Sequence, residues 1–571
     1  MSKNKNYPIY KTTYIDDMRS LVEEAAKNFP NRTALSYKKD PNQKEVTRVS
    51  FPEWRDDVRH LGTALIANGF REKHIALVGE NSYGWCIAFF AIMAIGAVVV
   101  PVDKDLTQED IAGIINTTEC EALFFGKGAE KKVAQIKSKL PQIKAFYAIG
   151  EKNSIEGSVS LSELLEKGKK RYAEGDNAYY DYKIDPNLLA SIVYTSGTTG
   201  KGKGVMLSQN NIGQDMTCGM YNFAITRKTL HVLPPHHTFG STVNYVGHLA
   251  QGSEVFISSG LRYVADEIRE QQPTHLILVP AFVEVMYRKI WATAKATHKA
   301  GLLKFLIAIS NALRKIGIDA RNTLFASVKK AFGSNLELII CGGARLDEDI
   351  IRTFDALGVT MLNGYGITEC APLISANRNK YQKKGSVGTP IIGCRVKIAN
   401  PDENGDGEIC VKGPNVMMGY YKDHEATAAA FDSEGYFHTG DYGHLDEEGW
   451  IYITGRLKNL IILANGKNVY PEEIEACIEK VPGVNEVVVY EGKSTKFHQK
   501  AVITAEIYPN QEVLDRMGVD DADAYFHSEI KKINDKMPAY KSVKFIKLRD
   551  TEFEKNTSRK IVRFAIDKSI D

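Results

Sequence analysis

The sequence predicts an α/β protein in two unequal parts, a large N-terminal domain of mostly parallel sheets flanked by helices and a small α+β C-terminal domain. Three observations carry this. At 571 residues the chain is too long for one hydrophobic core. Strand-like apolar runs alternate with helical ones up to about residue 400, at Ile75–Val78, Ala97–Val100, Ala122–Phe125, Leu276–Val279, Leu336–Cys341 and Val359–Leu362. The pattern then changes after Gly455 into strand, helix, strand, strand, helix, strand, with helices expected over Pro471–Val481 and Ala522–Met537. The natural junction is Arg456-Leu457-Lys458-Asn459, giving domains 1–457 and 458–571.

Apolar content of 43% and charged content of 25% are those of an ordinary globular protein. A net charge of +3 gives no reason to expect nucleic acid as a partner. The eight cysteines are scattered without a C-x-x-C pair, which suits a reducing, cytoplasmic compartment. The N-terminus lacks an apolar signal-peptide core. Residues Gly84–Val102 run for nineteen positions without a charge, but Gly96 and Val98-Val99-Val100 before Pro101 divide them into a buried helix and a buried strand.

Residues 194–205, YTSGTTGKGKGV, hold four glycines, five hydroxyl-bearing residues and two lysines in twelve positions. Glycines let backbone N–H groups turn toward an anion. Thr195, Ser196, Thr198 and Thr199 add hydroxyl donors, and Lys201 or Lys203 adds positive charge. The strand-like Ser191–Tyr194 before the run and Val205-Met206-Leu207 after it hold the loop at both ends. It is not the ordinary nucleotide loop: Gly197, Gly202 and Lys203 fit that spacing, but Gly204 replaces the magnesium-binding hydroxyl and no helix pattern follows.

Two further loops sit where parallel strands end, the usual place for ligands. One is Gly342-Gly343-Ala344, which lets backbone approach a flat base. The other is Asn363-Gly364-Tyr365-Gly366-Ile367-Thr368-Glu369, whose Tyr365 can stack on a base and whose Thr368 and Glu369 offer hard oxygens to magnesium. In His438-Thr439-Gly440-Asp441, a buried aspartate would accept from two vicinal hydroxyls.

The phosphate loop resembles that of the adenylate-forming, AMP-binding superfamily, with Gly202 in place of the family's proline. The other motifs follow in the family's order over essentially the whole chain, and the chain is similar to the long-chain fatty acyl-CoA synthetases within it. The resemblance implies an AMP-forming acid–thiol ligase using ATP, CoA and Mg2+. It makes Thr195, Ser196, Gly197, Thr199, Gly200, Lys203, Gly342, Gly343, Ala344, Gly364, Tyr365, Gly366, Thr368, Asp441 and Arg456 nucleotide-binding residues, with Asp441 on the ribose. Glu369 and Thr198 become the magnesium ligands. Glu408 and Met418-Gly419-Tyr420-Tyr421 match a stretch read as structural.

The same resemblance implies that the C-terminal domain is mobile, turning about Asn459 between half-reactions, and that a lysine near the C-terminus is catalytic. Register points to Lys560, with Lys555 as the fallback, because the family's proline and glycine are both replaced here. Leu233–Gly240, LPPHHTFG, matches the acid-binding motif, and His237 is its candidate gate or a structural histidine. Residues 231–260 contain one acid, Glu254, so a substrate ammonium would lack a partner, which argues against an amino acid; the resemblance implies a medium- or long-chain fatty acid. Residues Lys299–Phe332 form an amphipathic insertion with Leu302, Leu306, Ile309, Leu313 and Ile316 on one stripe. That stripe suits core packing, the roof of a long apolar tunnel, or peripheral contact with the inner face of a membrane. Acyl carrier protein as acceptor, and a nucleotide-binding protein that has lost catalysis, are the rival readings.

Overall fold

The computed structural model describes residues 10–150, 155–195, 202–225, 227–379, 381–463, 468–493, 502–555 and 560–570. Among them, two large sheets form the body of the protein. The eight-stranded sheet runs in the order Gly419–Tyr420, Lys203–Ser208, Leu189–Thr195, Val98–Val102, His74–Val78, Ala122–Phe125, Ala145–Ala148 and Val159–Ser160. The nine-stranded sheet includes Thr360–Gly366, Leu338–Cys341, His275–Leu278, Lys228–His231 and Glu254–Ile257 as parallel neighbours. The α/β expectation therefore holds, and the smaller α+β unit follows at the C-terminal end. There Val484–Gly492, Val502–Pro509 and Phe545–Leu548 form one sheet, beside helices Pro471–Ile478 and Ala522–Asn534.

The charge-free segment shows why its pattern signals a core. Helix Tyr83–Ala94 starts at Ser82, whose hydroxyl accepts from the Trp85 N–H, and every residue from Gly84 to Ala94 is buried. It packs on helix Phe51–Ala67, where Trp54 meets Phe90 edge-on at 5.0 Å between ring centroids. Twelve helical residues reach about 18 Å, against roughly 30 Å for a bilayer core. Among the described residues no helix is long and apolar enough to cross a membrane.

Three features differ from the sequence reading. A four-stranded antiparallel sheet, Arg395–Ala399, Gly407–Lys412, Phe437–Leu445 and Ile451–Arg456, stands between the large sheets and the C-terminal unit. Three of its strands are largely part-exposed, so their apolar alternation is weak. A helix, Gln209–Met220, does follow the phosphate loop, but only after strand Lys203–Ser208. The insertion stripe is also corrected. Helix Ala300–Lys315 turns Leu303 and Ser310 inward, with Leu306 and Ile307 partly covered, and leaves Leu302 and Ile316 in solvent. The apolar residues are wide enough around the helix to form two stripes, and the core takes the neighbouring one.

Candidate active site

The strands flanking the phosphate loop form a hairpin. Strands Leu189–Thr195 and Lys203–Ser208 pair antiparallel, with Thr195 opposite Lys203. Ser196, Gly197, Thr198, Thr199, Gly200 and Lys201 lie outside the described residues. At Gly202, where the family's loop has proline, a Cβ would meet the Thr195 carbonyl oxygen at 2.6 Å. The return strand is edged by Gly419–Tyr420, whose Tyr420 pairs with Val205.

Tyr420 is the site residue the sequence reading missed. The Lys203 ammonium lies over its ring, 4.7 Å from the centroid. Its hydroxyl donates to Glu369 Oε1 at 3.0 Å. The stretch set aside as structural thus joins the lysine of the phosphate loop to the expected metal ligand. An apolar-looking M-G-Y-Y run gives no chemical cue in sequence; only the pairing with Lys203–Ser208 reveals it.

The two glycine-rich loops leave adjacent parallel strands, in which Cys341 pairs with Asn363. Gly343 adopts φ +87°, open to glycine without strain. A Cβ at Gly342 would come within 3.3 Å of the Gly364 carbonyl oxygen and 3.4 Å of the Phe239 ring, so the GGA and GYG turns abut. At Gly366 a Cβ would fall 2.1 Å from the Pro372 carbonyl oxygen. Ala344 lies exposed beside them, and Thr368 and Glu369 open a short 3-10 turn. Buried Asp215 accepts from the Leu373 N–H at 2.9 Å, and Asn415 donates to the carbonyls of Cys370 and Leu373, which pins that turn from below.

Glu369 is half-buried, and burial raises its pKa above the usual glutamate value against the pull of its own backbone N–H, Tyr420 and Arg456. A carboxylate held with little solvent and with acceptor capacity to spare suits a hard divalent cation, so the donor chemistry fits magnesium.

Asp441 is 3% exposed. Tyr365 donates to its Oδ2 at 2.7 Å, and Arg456 Nε lies 2.9 Å from its Oδ1. Burial raises the Asp441 pKa, while Arg456, Tyr365 and Lys560 hold it back. Tyr365, expected as a stacking ring, therefore also orients the aspartate. Asp441 and Arg456 face each other across paired strands, which places the arginine by register. Glu408, read as structural, accepts from the Gly440 N–H at 3.0 Å and lies 2.8 Å from His438 Nδ1, fixing the turn before Asp441. Glu408, Cys410 and His438 put ligand-type atoms within 4.8 Å of one another. Burial and the Glu408 charge push the Cys410 thiol up to about 12, and His438 joins Cys410 and Glu408 through its Nδ1.

The two candidate lysines separate cleanly. Lys555 forms ion pairs with Glu486 and Glu552, the latter at 3.0 Å. The charge of Lys560 instead acts on Asp441 and His237. Lys560 is exposed as a residue; desolvation and the nearby Arg456 lower its pKa, with Asp441 opposing. His237 rests against His236, ring centroids 4.2 Å apart, and burial first and His236 second lower its pKa to about 3. It is a neutral imidazole at ordinary pH. Gly240 begins close under this turn, since a Cβ there would lie 2.1 Å from the Pro234 carbonyl oxygen. A π-helix, Phe239–Gly247, follows, a geometry common at functional sites and invisible to a 3.6-residue pattern. Asn459 closes a short turn after Arg456, and its side chain donates to Glu472 Oε1 at 2.6 Å.

Known proteins resemble the chain over most of its length. Long-chain-fatty-acid–CoA ligase 1 of Cavia porcellus is 29% identical over 542 residues, covering 88% of this chain and 75% of that protein. Long-chain-fatty-acid–CoA ligase 1 of Homo sapiens is 31% identical over 490 residues, covering 80% and 68%. Among solved structures, the ATP-bound RpMatB-BxBclM chimera B1 superposes with a TM-score of 0.76 at 23% identity, over 97% of this chain and 98% of that one. The anthranilate CoA ligase AuaEII with anthranoyl-AMP gives 0.75 at 19% identity, over 97% and 96%. The family model described as AMP-binding enzyme matches residues 22–421, and the chain belongs to that family of adenylate-forming enzymes.

Proposed function

We propose that this enzyme activates a medium- or long-chain fatty acid as its acyl-adenylate and transfers the acyl group to CoA. As an AMP-forming acid–CoA ligase it runs two half-reactions. A carboxylate oxygen attacks the α-phosphorus of ATP and pyrophosphate leaves. The CoA sulfur then attacks the acyl carbonyl, forming the thioester as AMP departs.

The observation that carries the reading is buried Asp441, paired with Arg456 and bonded by Tyr365, with the Lys560 charge acting on both Asp441 and His237. Two anions must meet in the first step, so the site has to supply positive charge and alignment. Lys560 and Arg456 supply the charge; Asp441, set by Tyr365, holds the ribose; neutral His237 lines the acid side without adding charge. Glu369 and Thr198 would hold Mg2+, which supplies further neutralisation of phosphate charge when bound. Fatty acid as the substrate class is supported by the relatives' names and by Glu254. That acid is occupied by Lys228 at 3.0 Å and by the Ser36 hydroxyl, and so is not available to an ammonium. The division at 457 and 458, with Asn459 as the hinge, belongs to the same reading: the small unit would withdraw Lys560 after adenylation.

The test is thioester formation from acids of graded length, with CoA or acyl carrier protein as acceptor. Acyl-CoA from medium or long chains is expected. Product with carrier protein alone, or with no fatty acid at all, would contradict the proposal.

A further inference from the structure

Glu408, Cys410 and His438 gather a carboxylate, a thiol and an imidazole within 4.8 Å of one another. Two strands build the group. Cys410, on Gly407–Lys412, is the cross-strand partner of His438, on Phe437–Leu445, and Glu408 shares the Cys410 face by the pleat. Glu408 itself pairs with Tyr442, so the return strand bulges between the two pairs, and that bulge holds Gly440 at φ +69° together with Asp441. His438 Nδ1 lies 2.8 Å from Glu408 Oε2 and 3.4 Å from Cys410 Sγ. A tetrahedral zinc ion, with bonds of about 2.0–2.3 Å, sets its ligand atoms about 3.3–3.5 Å apart, so small side-chain adjustments suffice. Glu408 and His438 are 17% and 30% exposed and give an ion its entry, while buried Cys410 closes the floor. Lys397, whose charge reaches Cys410, is itself held by Asp432 at 2.7 Å and Glu434 at 3.1 Å.

We propose that Glu408 Oε2, Cys410 Sγ and His438 Nδ1 bind a zinc ion, with water in the fourth position, and that the bound ion loosens the turn before Asp441. Soft sulfur and imidazole nitrogen select zinc over magnesium, which takes hard oxygens and belongs with Glu369. On binding, the Cys410 thiol gives its proton to solvent, and the imidazole carries its proton on Nε2 and no longer on Nδ1. Glu408 loses His438 as a donor and is drawn toward the ion. Its other oxygen, Oε1, accepts from the Gly440 N–H at 3.0 Å, and Gly440 precedes Asp441. The metal thus pulls on a carboxylate that holds the turn, and nucleotide affinity falls. The coupling rests on Asp441 as the ribose residue; the metal site does not, so the two can fail separately.

The experiment titrates Co2+ and Zn2+ into the reduced full-length protein with magnesium in excess. Co2+ is expected to give a thiolate-to-metal charge-transfer band in the near ultraviolet, and one equivalent of Zn2+ to remove it. X-ray absorption at the zinc edge should show one sulfur per zinc at about 2.3 Å. Cys410→Ser should abolish the cobalt band and weaken Zn2+ binding roughly a hundredfold. Zinc loading should weaken AMP binding about tenfold in the wild-type protein and leave it unchanged in Cys410→Ser. A zinc shell of nitrogen and oxygen alone, or Zn2+ held equally tightly by Cys410→Ser, would overturn the metal site. The wild-type absorption spectrum decides that point even where Cys410→Ser does not fold. AMP affinity unmoved by zinc would overturn the coupling, whereas AMP affinity unmoved by Asp441→Asn would overturn the ribose assignment instead.

Discussion

The hydroxyl of Tyr420 donates to Glu369 at 3.0 Å while its ring lies under the Lys203 ammonium. One side chain thereby sets the distance between the phosphate loop and the carboxylate expected to hold magnesium. Tyr420→Phe keeps the ring and removes the hydrogen bond to a charged acceptor. Adenylation at limiting magnesium should fall roughly tenfold, with recovery at high magnesium. Titrating pyrophosphate exchange against magnesium checks this, and an unchanged curve would count against the linkage.

Asp441→Asn should weaken ATP binding roughly tenfold to a hundredfold, through loss of a charged acceptor and of the Arg456 pair. Calorimetry with ATP reads the change directly. Acid affinity measured alone should be unaffected.

Lys560→Ala should abolish most adenylation yet leave thioester formation from preformed acyl-AMP largely intact. Lys555→Ala should retain adenylation and cost about 1 kcal/mol of stability through its lost ion pairs. The working form of Lys560 is protonated, and its pKa is lowered. Adenylation should therefore decline on the alkaline side at a pH below the usual lysine range, and Lys560→Arg should move that decline upward. His237, held near 3 by burial, should contribute no limb to the profile near neutral pH.

Gly366→Ala brings a Cβ to 2.1 Å from the Pro372 carbonyl, so the loop carrying Thr368 and Glu369 must shift. A loss of about 1–3 kcal/mol in urea unfolding is expected, together with a raised magnesium requirement. Gly343, at positive φ with open space nearby, should be destabilised by alanine through backbone strain instead.

The parallel strands and the buried helix Tyr83–Ala94 were legible because burial on both faces writes continuous apolar runs. The glycine loops were legible because backbone approach excludes side chains, as at Gly342 and Gly366. Tyr420 was not, since its role arises from an edge-strand pairing between residues more than two hundred positions apart. Lys560 could be narrowed only to a pair by register; the ion pairs of Lys555 distinguish the two in space. The facing of the stripe on Ala300–Lys315 stays open in sequence because a helical wheel cannot say which of two adjoining apolar faces the neighbours cover.

The most direct test of the central claim is ATP–pyrophosphate exchange without CoA, across fatty acids of graded length and a set of amino acids. Label is expected to enter ATP only when a medium- or long-chain fatty acid is present, and not in Lys560→Ala. Exchange supported by amino acids alone, or by no carboxylic acid at all, would contradict it.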